Sequence, residues 1–372
     1  MKFLVVFLGF ASSVMVLACS DSDGDYKDQG LRMNEIQVLG THNSYHIQPR
    51  DEILEVLAAI ESQELADSLE YTALPLRDQL DRGVRQLEFD IFADPEGGLY
   101  ASREGLRYIG EDTDSGLPEL DEPGMKVLHI QDIDFETHCL TLQICLDQIK
   151  AWSDEHSRHL PITIMIGAKD DPIPLPNAAI PVPFGPNEVD DIDEEIVQVF
   201  PRERLIVPDD VRDNSATLEE AVLNGGWPTL EEARGRVMFV FLDEGDARDH
   251  YVDGHPSLEG RIMFTNSEEG EPEASWFKVD NALEDGERIR ELVQAGYMVR
   301  TRSDEDTRQA RDDDYTLQAA AFESGGQSVV TDYVVPNPDF GTEYHTSIPG
   351  GYAARCNPVS APEPCESDLI AP

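Results

Sequence analysis

The chain has 372 residues, 40% of them hydrophobic, with 75 acidic against 28 basic side chains and a formal net charge of −47. That length and apolar content suit one large α/β domain rather than a small scaffold held by staples. The charge excludes nucleic acid as a partner, because a phosphate backbone requires a basic face, and it disfavours adsorption to anionic lipid.

Residues 1–24 read as a targeting segment: Lys2 supplies the charged start, and the apolar run over 3–17 is too short to span a bilayer. Val16-Leu17-Ala18-Cys19 has the form of a bacterial lipobox. The expected layout is a lipoprotein signal peptide over 1–18 and a polar tether over 19–33. A barrel domain follows over 34–336, then an irregular extension over 337–372. A lipid on Cys19 would anchor the chain to a membrane surface of the cell envelope; the alternative is plain secretion after cleavage near Ala18. Either reading puts the mature chain outside the cytoplasm. The four remaining cysteines allow three connectivities, of which Cys139 with Cys145 and Cys356 with Cys365 is the simplest in an oxidising compartment. Their spacing does not suit a zinc site.

Strand-like apolar runs occupy 36–39, 84–89, 126–130, 162–166, 237–242, 262–264, 297–300 and 328–331. Amphipathic segments at 54–69, 140–156, 190–200 and 285–295 lie between several of them. Strands alternating with helices imply parallel pairing, and eight such units predict a distorted TIM (β/α)8 barrel, a single α/β domain. The Pro-rich stretch 172–186 reads as an extended loop over one end of the barrel.

In such a barrel the carboxyl ends of the strands carry the site. The first run ends in His42 and Asn43, and the second in Glu88 and Asp90. The third ends in His129, with Asp132 and Asp134 just beyond, and Lys169, Asp170 and Asp171 follow the fourth. Arg300, Arg302 and Asp304 end the seventh, Asp332 and Tyr333 the eighth. Clustered ionisable groups at one end of apolar strands would cost several kcal/mol each without a purpose. Asn43, Glu88 and Asp90 are hard oxygen donors suited to Ca2+ or Mg2+, and Glu88 and Asp90 point to one side of their strand. Two histidines beside a divalent ion suit phosphoryl transfer. His46 reads as a loop neighbour of the site, exposed or packed behind it.

The ordered set THNSY (41–45), RQLEFDIF (85–92), VLHIQDIDFETHC (127–139), PITIMIGAKDD (161–171), GWPTLEEARGRVMFVF (226–241), VRTRSDEDT (299–307) and VVTDY (329–333) resembles the bacterial calcium-dependent phosphatidylinositol-specific phospholipase C family. The resemblance covers residues 34–356 and implies a distorted TIM barrel. The implied reaction cleaves the phosphodiester between glycerol and inositol to diacylglycerol and a cyclic or open inositol phosphate. It further implies that His42 contacts the phosphate, that His129 is the general acid, and that Asn43, Glu88 and Asp90 bind one calcium ion rather than magnesium. Glu88 would double as the base, Lys169 and Arg300 would hold phosphate or inositol oxygens, and the enzyme would work as a monomer.

One position departs from the family pattern. Where the family has Glu-x-Lys after the fourth strand, this chain has Gly167-Ala168-Lys169, so one calcium ligand is missing; Asp132, Asp170 or water would have to stand in. Two other readings follow. One is a glycerophosphodiester or sphingomyelin-type phosphodiesterase on the same barrel. The other is a surface lipoprotein that binds a headgroup without turnover.

Overall fold

The structure, a computed structural model, describes residues 30–370. The lipobox, Cys19 and most of the tether therefore lie outside the described residues. The strands in chain order are β1 (Ile36–Thr41), β2 (Val84–Phe92), β3 (Lys126–Val127), β4 (Ile162–Ala168), β5 (Leu205–Ile206), β6 (Val237–Phe241), β7 (Met263–Thr265), β8 (Trp276–Lys278), β9 (Met298–Arg302), β10 (Ser328–Thr331) and β11 (Ala354–Cys356).

Eight of these form a parallel ring in the order β1, β2, β4, β6, β7, β8, β9, β10 and back to β1. A single parallel bridge, Asn266 to Trp276, joins β7 to β8 and makes the weakest seam of the barrel. The ring is a distorted TIM barrel, as expected. Its central strands are buried on both faces: every residue of β4, Ile-Thr-Ile-Met-Ile-Gly-Ala, is inside, which is why they read as continuous apolar runs rather than alternating ones. Helices Leu142–Glu155, Pro186–Val199 and Ala282–Ala295 pack outside, two of them started by side-chain caps from Thr141 and Asn281.

Two expectations are corrected. The run at 126–130 is not a barrel strand: only Lys126 and Val127 pair, antiparallel to β2, and His129 lies in the loop beyond. The chain turns there because Asp132, in the left-handed region at φ 68°, folds it back on itself. The ring's eighth member is instead the short β8. The segment expected as one helix over 54–69 is two, Asp51–Ile60 and Gln63–Ser68, divided where Ser62 caps the second. The Pro-rich stretch carries no helix or strand before Pro186, as read from its composition.

Both disulfides take the local pairing, Cys139–Cys145 and Cys356–Cys365. The second ties down an extension that is less irregular than expected, since β11 pairs antiparallel with the first half of β1. Gly40 marks a close approach in β1. A Cβ there would lie 2.3 Å from the Gln86 side chain, so only glycine lets β2 come this near just before the chain delivers His42.

Candidate active site

β1 ends at Thr41, and the next residues turn over the mouth of the ring. Ser44 fastens this turn to β2: its N–H donates to the Glu88 carbonyl and its Oγ accepts from the Glu88 N–H, both at 2.9 Å. Asn43 takes φ 41°, a left-handed conformation that Asn tolerates. Its Nδ2 donates to the Tyr71 hydroxyl at 2.9 Å, which fixes the amide, while its Oδ1 is buried without any hydrogen-bond partner.

Glu88 and Asp90 stand two residues apart on β2, both buried. Each faces a cation. Glu88 Oε2 accepts from Arg300 Nη2 at 2.8 Å, and Asp90 Oδ2 lies 3.3 Å from Lys169 Nζ and accepts from the Tyr45 hydroxyl at 3.1 Å. Arg300 is almost wholly enclosed and also pairs with Asp280, whereas the Lys169 side chain is 43% exposed. Of the two residues expected to touch substrate, Arg300 is therefore enclosed between two carboxylates, and Lys169, paired with Asp90, is the more exposed.

The donor set fits calcium. An orphaned buried amide oxygen and two carboxylates from one strand face are hard ligands, and an unpaired buried acceptor costs about 1–3 kcal/mol that a cation would relieve. The fourth donor is absent. A Cβ on Gly167 would lie 2.8 Å from Asp90 Oδ1, so the Asp90 carboxylate leans into the room a side chain at 167 would need. Asp132 does not replace it: Oδ1 accepts from the Glu104 N–H and Oδ2 from the Ala179 N–H, both at 2.7 Å, pinning two loops together. Asp170 Oδ2 accepts from the Phe184 N–H at 3.2 Å.

His42 and His129 flank this pair of carboxylates. His42 Nδ1 bonds Asp332 Oδ1 at 2.9 Å, and its Nε2 lies 3.9 Å from Glu88 Oε1. Asp332 in turn accepts from Arg302 at 2.8 Å, and its own N–H donates to Asp304 at 2.8 Å. Burial, with the Arg302 guanidinium adding to it, holds His42 well below its usual value near 6.5. His129 Nδ1 bonds Asp134 Oδ2 at 2.8 Å. Burial pulls its pKa down, but the hydrogen bond and charge of Asp134 prevail and leave it raised. Asp134 is itself held low: burial raises it, and the attraction of His46 and His129 overrides that.

His46 is not exposed. It is fully enclosed, with Nε2 2.8 Å from Asp134 Oδ2, and its ring stacks on Tyr71 at 4.1 Å between centroids. A cavity of about 540 Å³ opens beside His129, lined by Lys169, Asp170, Asp171 and Asp243 among others. Burial pushes the Asp243 carboxyl up to about 7, although it accepts from the Ala168 N–H. A second cavity, about 310 Å³, lies on the His42–Asp332 side.

Sequence reasoning placed His42, Asn43, Glu88, Asp90 and His129 together, and the structure brings them together. It missed Tyr71, Asp243 and Asp280. These stand in loops or just past strand ends with no repeat or spacing to mark them. No helix among the described residues is long and apolar enough to cross a membrane.

A family model described as Ca2+-dependent phosphoinositide phospholipase C matches residues 31–358. Among solved structures, the chain is similar to the calcium-dependent phosphoinositol-specific phospholipase C of a Pseudomonas species. That match has a TM-score of 0.53 and 16% identity over 88% of this chain and 96% of that one. It is also similar to the Ca2+-dependent phosphatidylinositol-specific phospholipase C of Streptomyces antibioticus, at TM-score 0.49 and 17% identity over 81% and 95%. No curated protein matches the chain.

Proposed function

This chain belongs to the Ca2+-dependent phosphoinositide phospholipase C family, and on that premise we propose that it is an exported phosphodiesterase that cleaves phosphatidylinositol with His42 as base and His129 as acid. The observation that carries the reading is that each imidazole is held by its own carboxylate at one mouth, His42 Nδ1 by Asp332 at 2.9 Å with Nε2 toward Glu88, and His129 Nδ1 by Asp134 at 2.8 Å. His42 is held low by burial and Arg302, and His129 is raised by Asp134 against its burial. Neighbours that push two titratable groups apart assign one to accept a proton and the other to give one.

Asn43, Glu88 and Asp90 would hold calcium, which when bound lowers the pKa of the inositol 2-hydroxyl and neutralises the phosphate. His42, neutral and oriented by Asp332, takes the proton of that hydroxyl on Nε2 as its oxygen bonds to phosphorus. The bond from phosphorus to the glycerol oxygen breaks, and His129 gives that oxygen its proton. The products are diacylglycerol and a cyclic inositol phosphate. Lys169, the more exposed cation of the site, is placed to meet the phosphate. The base falls to His42 rather than Glu88 because Glu88 already accepts from Arg300. Export is supported by the two disulfides, which persist in oxidising compartments.

Phosphorus NMR of phosphatidylinositol vesicles with the purified mature chain tests this. A cyclic inositol phosphate signal with millimolar-order calcium, absent with chelator, is expected. No product in either condition would favour the binding-only reading that Gly167 suggests.

A further inference from the structure

His46 has no part in the chemistry above, yet it is fully buried within reach of it. Its Nε2 lies 2.9 and 2.8 Å from the two oxygens of Asp134, the same carboxylate whose Oδ2 holds His129 Nδ1 at 2.8 Å. The two imidazoles meet edge to face with centroids 5.7 Å apart. His46 Nδ1 is buried with no partner. A proton there would be an unpaired buried donor, so the proton sits on Nε2 and is donated to Asp134. The other face of the ring stacks on Tyr71, whose hydroxyl accepts from Asn43.

We propose that His46 is a positioning residue which, through Asp134, sets the orientation and proton affinity of His129. This rests on the reading of His129 as the acid. His129 lies in a loop outside the barrel ring, so no strand fixes it; the Asp134 carboxylate holds its ring, and His46 is the second side chain on that carboxylate. A carboxylate that accepts from two imidazoles cannot rotate away from either. It also shares its negative charge between them, so it holds the His129 proton less tightly than an unshared carboxylate would.

The test compares two leaving groups. Replacing diacylglycerol by nitrophenol removes the need for an acid, since that oxygen leaves as the anion. His46→Leu should lower kcat on phosphatidylinositol by about 10–100-fold and on nitrophenyl inositol phosphate by less than about threefold. His46→Gln, which keeps an N–H near the Nε2 position, should recover most of the loss. Equal losses on both substrates, or none on either, overturn the proposal. A second arm needs no turnover: the NMR titration of His129, assigned with His129→Ala, should move to higher pH in His46→Leu, and an unmoved curve also overturns it. A wild-type chain that turns over neither substrate would count against the proposed function and leave the NMR arm to decide. If His46→Leu fails to fold, the 15N shifts of wild-type His46 decide: Nδ1 bare and Nε2 protonated is expected, and the reverse tautomer overturns the proposal.

Discussion

The two sides of the barrel mouth hold one histidine each and treat it oppositely. His42 leaves the end of a ring strand, and its partner Asp332 follows β10, the strand next to β1. Behind Asp332 stand Arg302, Asp304 and, from the extension, Tyr344, whose hydroxyl donates to the Ser303 carbonyl at 2.9 Å and lies 3.2 Å from Asp304. His129 sits outside the ring, and its partner Asp134 comes from the same loop. Burial pulls both imidazoles toward the neutral form, so burial does not distinguish them. The neighbouring charges do. Arg302 and Arg300 lower His42 against the pull of Glu88, whereas Asp134 and Asp90 raise His129 against Lys169. The carboxylates differ too: burial raises Asp332, whereas the two imidazoles hold Asp134 low against its burial.

The largest expected effect would break the comparison outright. His42→Ala and His129→Ala should each lower phosphatidylinositol turnover about 10²–10⁴-fold. With nitrophenol as leaving group only His129→Ala should recover, because only the acid is dispensable there. Since His129 acts protonated and its pKa is raised, kcat should fall as pH rises through that value, and His129→Ala should lose this limb. Steady-state rates on both substrates across pH check this; matching behaviour of the two variants would remove the division between base and acid.

Next comes the middle of the mouth. Gly167→Glu adds the missing oxygen donor but forces Asp90 aside, given the 2.8 Å approach. Without metal the extra carboxylate should lower the melting temperature, because like charges repel. Calcium affinity by calorimetry should rise at least about tenfold, or about 1.4 kcal/mol. Unchanged affinity would mean that Asn43, Glu88 and Asp90 do not converge on one ion.

The smallest effect on turnover is a control at a residue that lines neither cavity of the mouth. Burial pushes Glu195 up to about 7, although it accepts from the Met125 N–H at 2.8 Å. A carboxyl raised in the fold favours folding most below its unfolded pKa near 4.5, and that contribution is lost as pH rises through 7. Glu195→Gln, always neutral, should therefore stabilise the chain at pH 8 by roughly 1–3 kcal/mol and do nothing near pH 4. Denaturant unfolding at the two pH values measures this, and turnover should not change.

Much of the fold was legible because strands enclosed on both faces leave unbroken apolar runs, as β4 and β6 do. The misread strand at 126–130 has the same apolar character. Composition does not reveal that Asp132 turns the chain after two paired residues. Conversely β8 has three residues, too few for any period, and is a ring strand only because β9 holds one edge of it. His46 was misjudged for a related reason. A histidine three residues after Asn43 gives no sign of depth, and its burial depends on Tyr71 and Asp134 arriving from elsewhere.

By itself the sequence pointed to the barrel class, made the local disulfide pairs the simplest of three connectivities, and put hard oxygen donors at the ends of apolar strands. Each of these follows from the neighbours of a residue along the chain: alternation of elements, close cysteines, and two carboxylates at i and i+2. Only the tertiary structure decided which charge each group meets. Arg300 reaches Glu88 across 212 residues, Asp332 reaches His42 across 290, and His46 reaches Asp134 across 88. Coulomb interactions and hydrogen bonds act over a few ångströms of space. Chain separation therefore does not predict them, and the different surroundings of the two histidines become readable only when the ring brings those partners together.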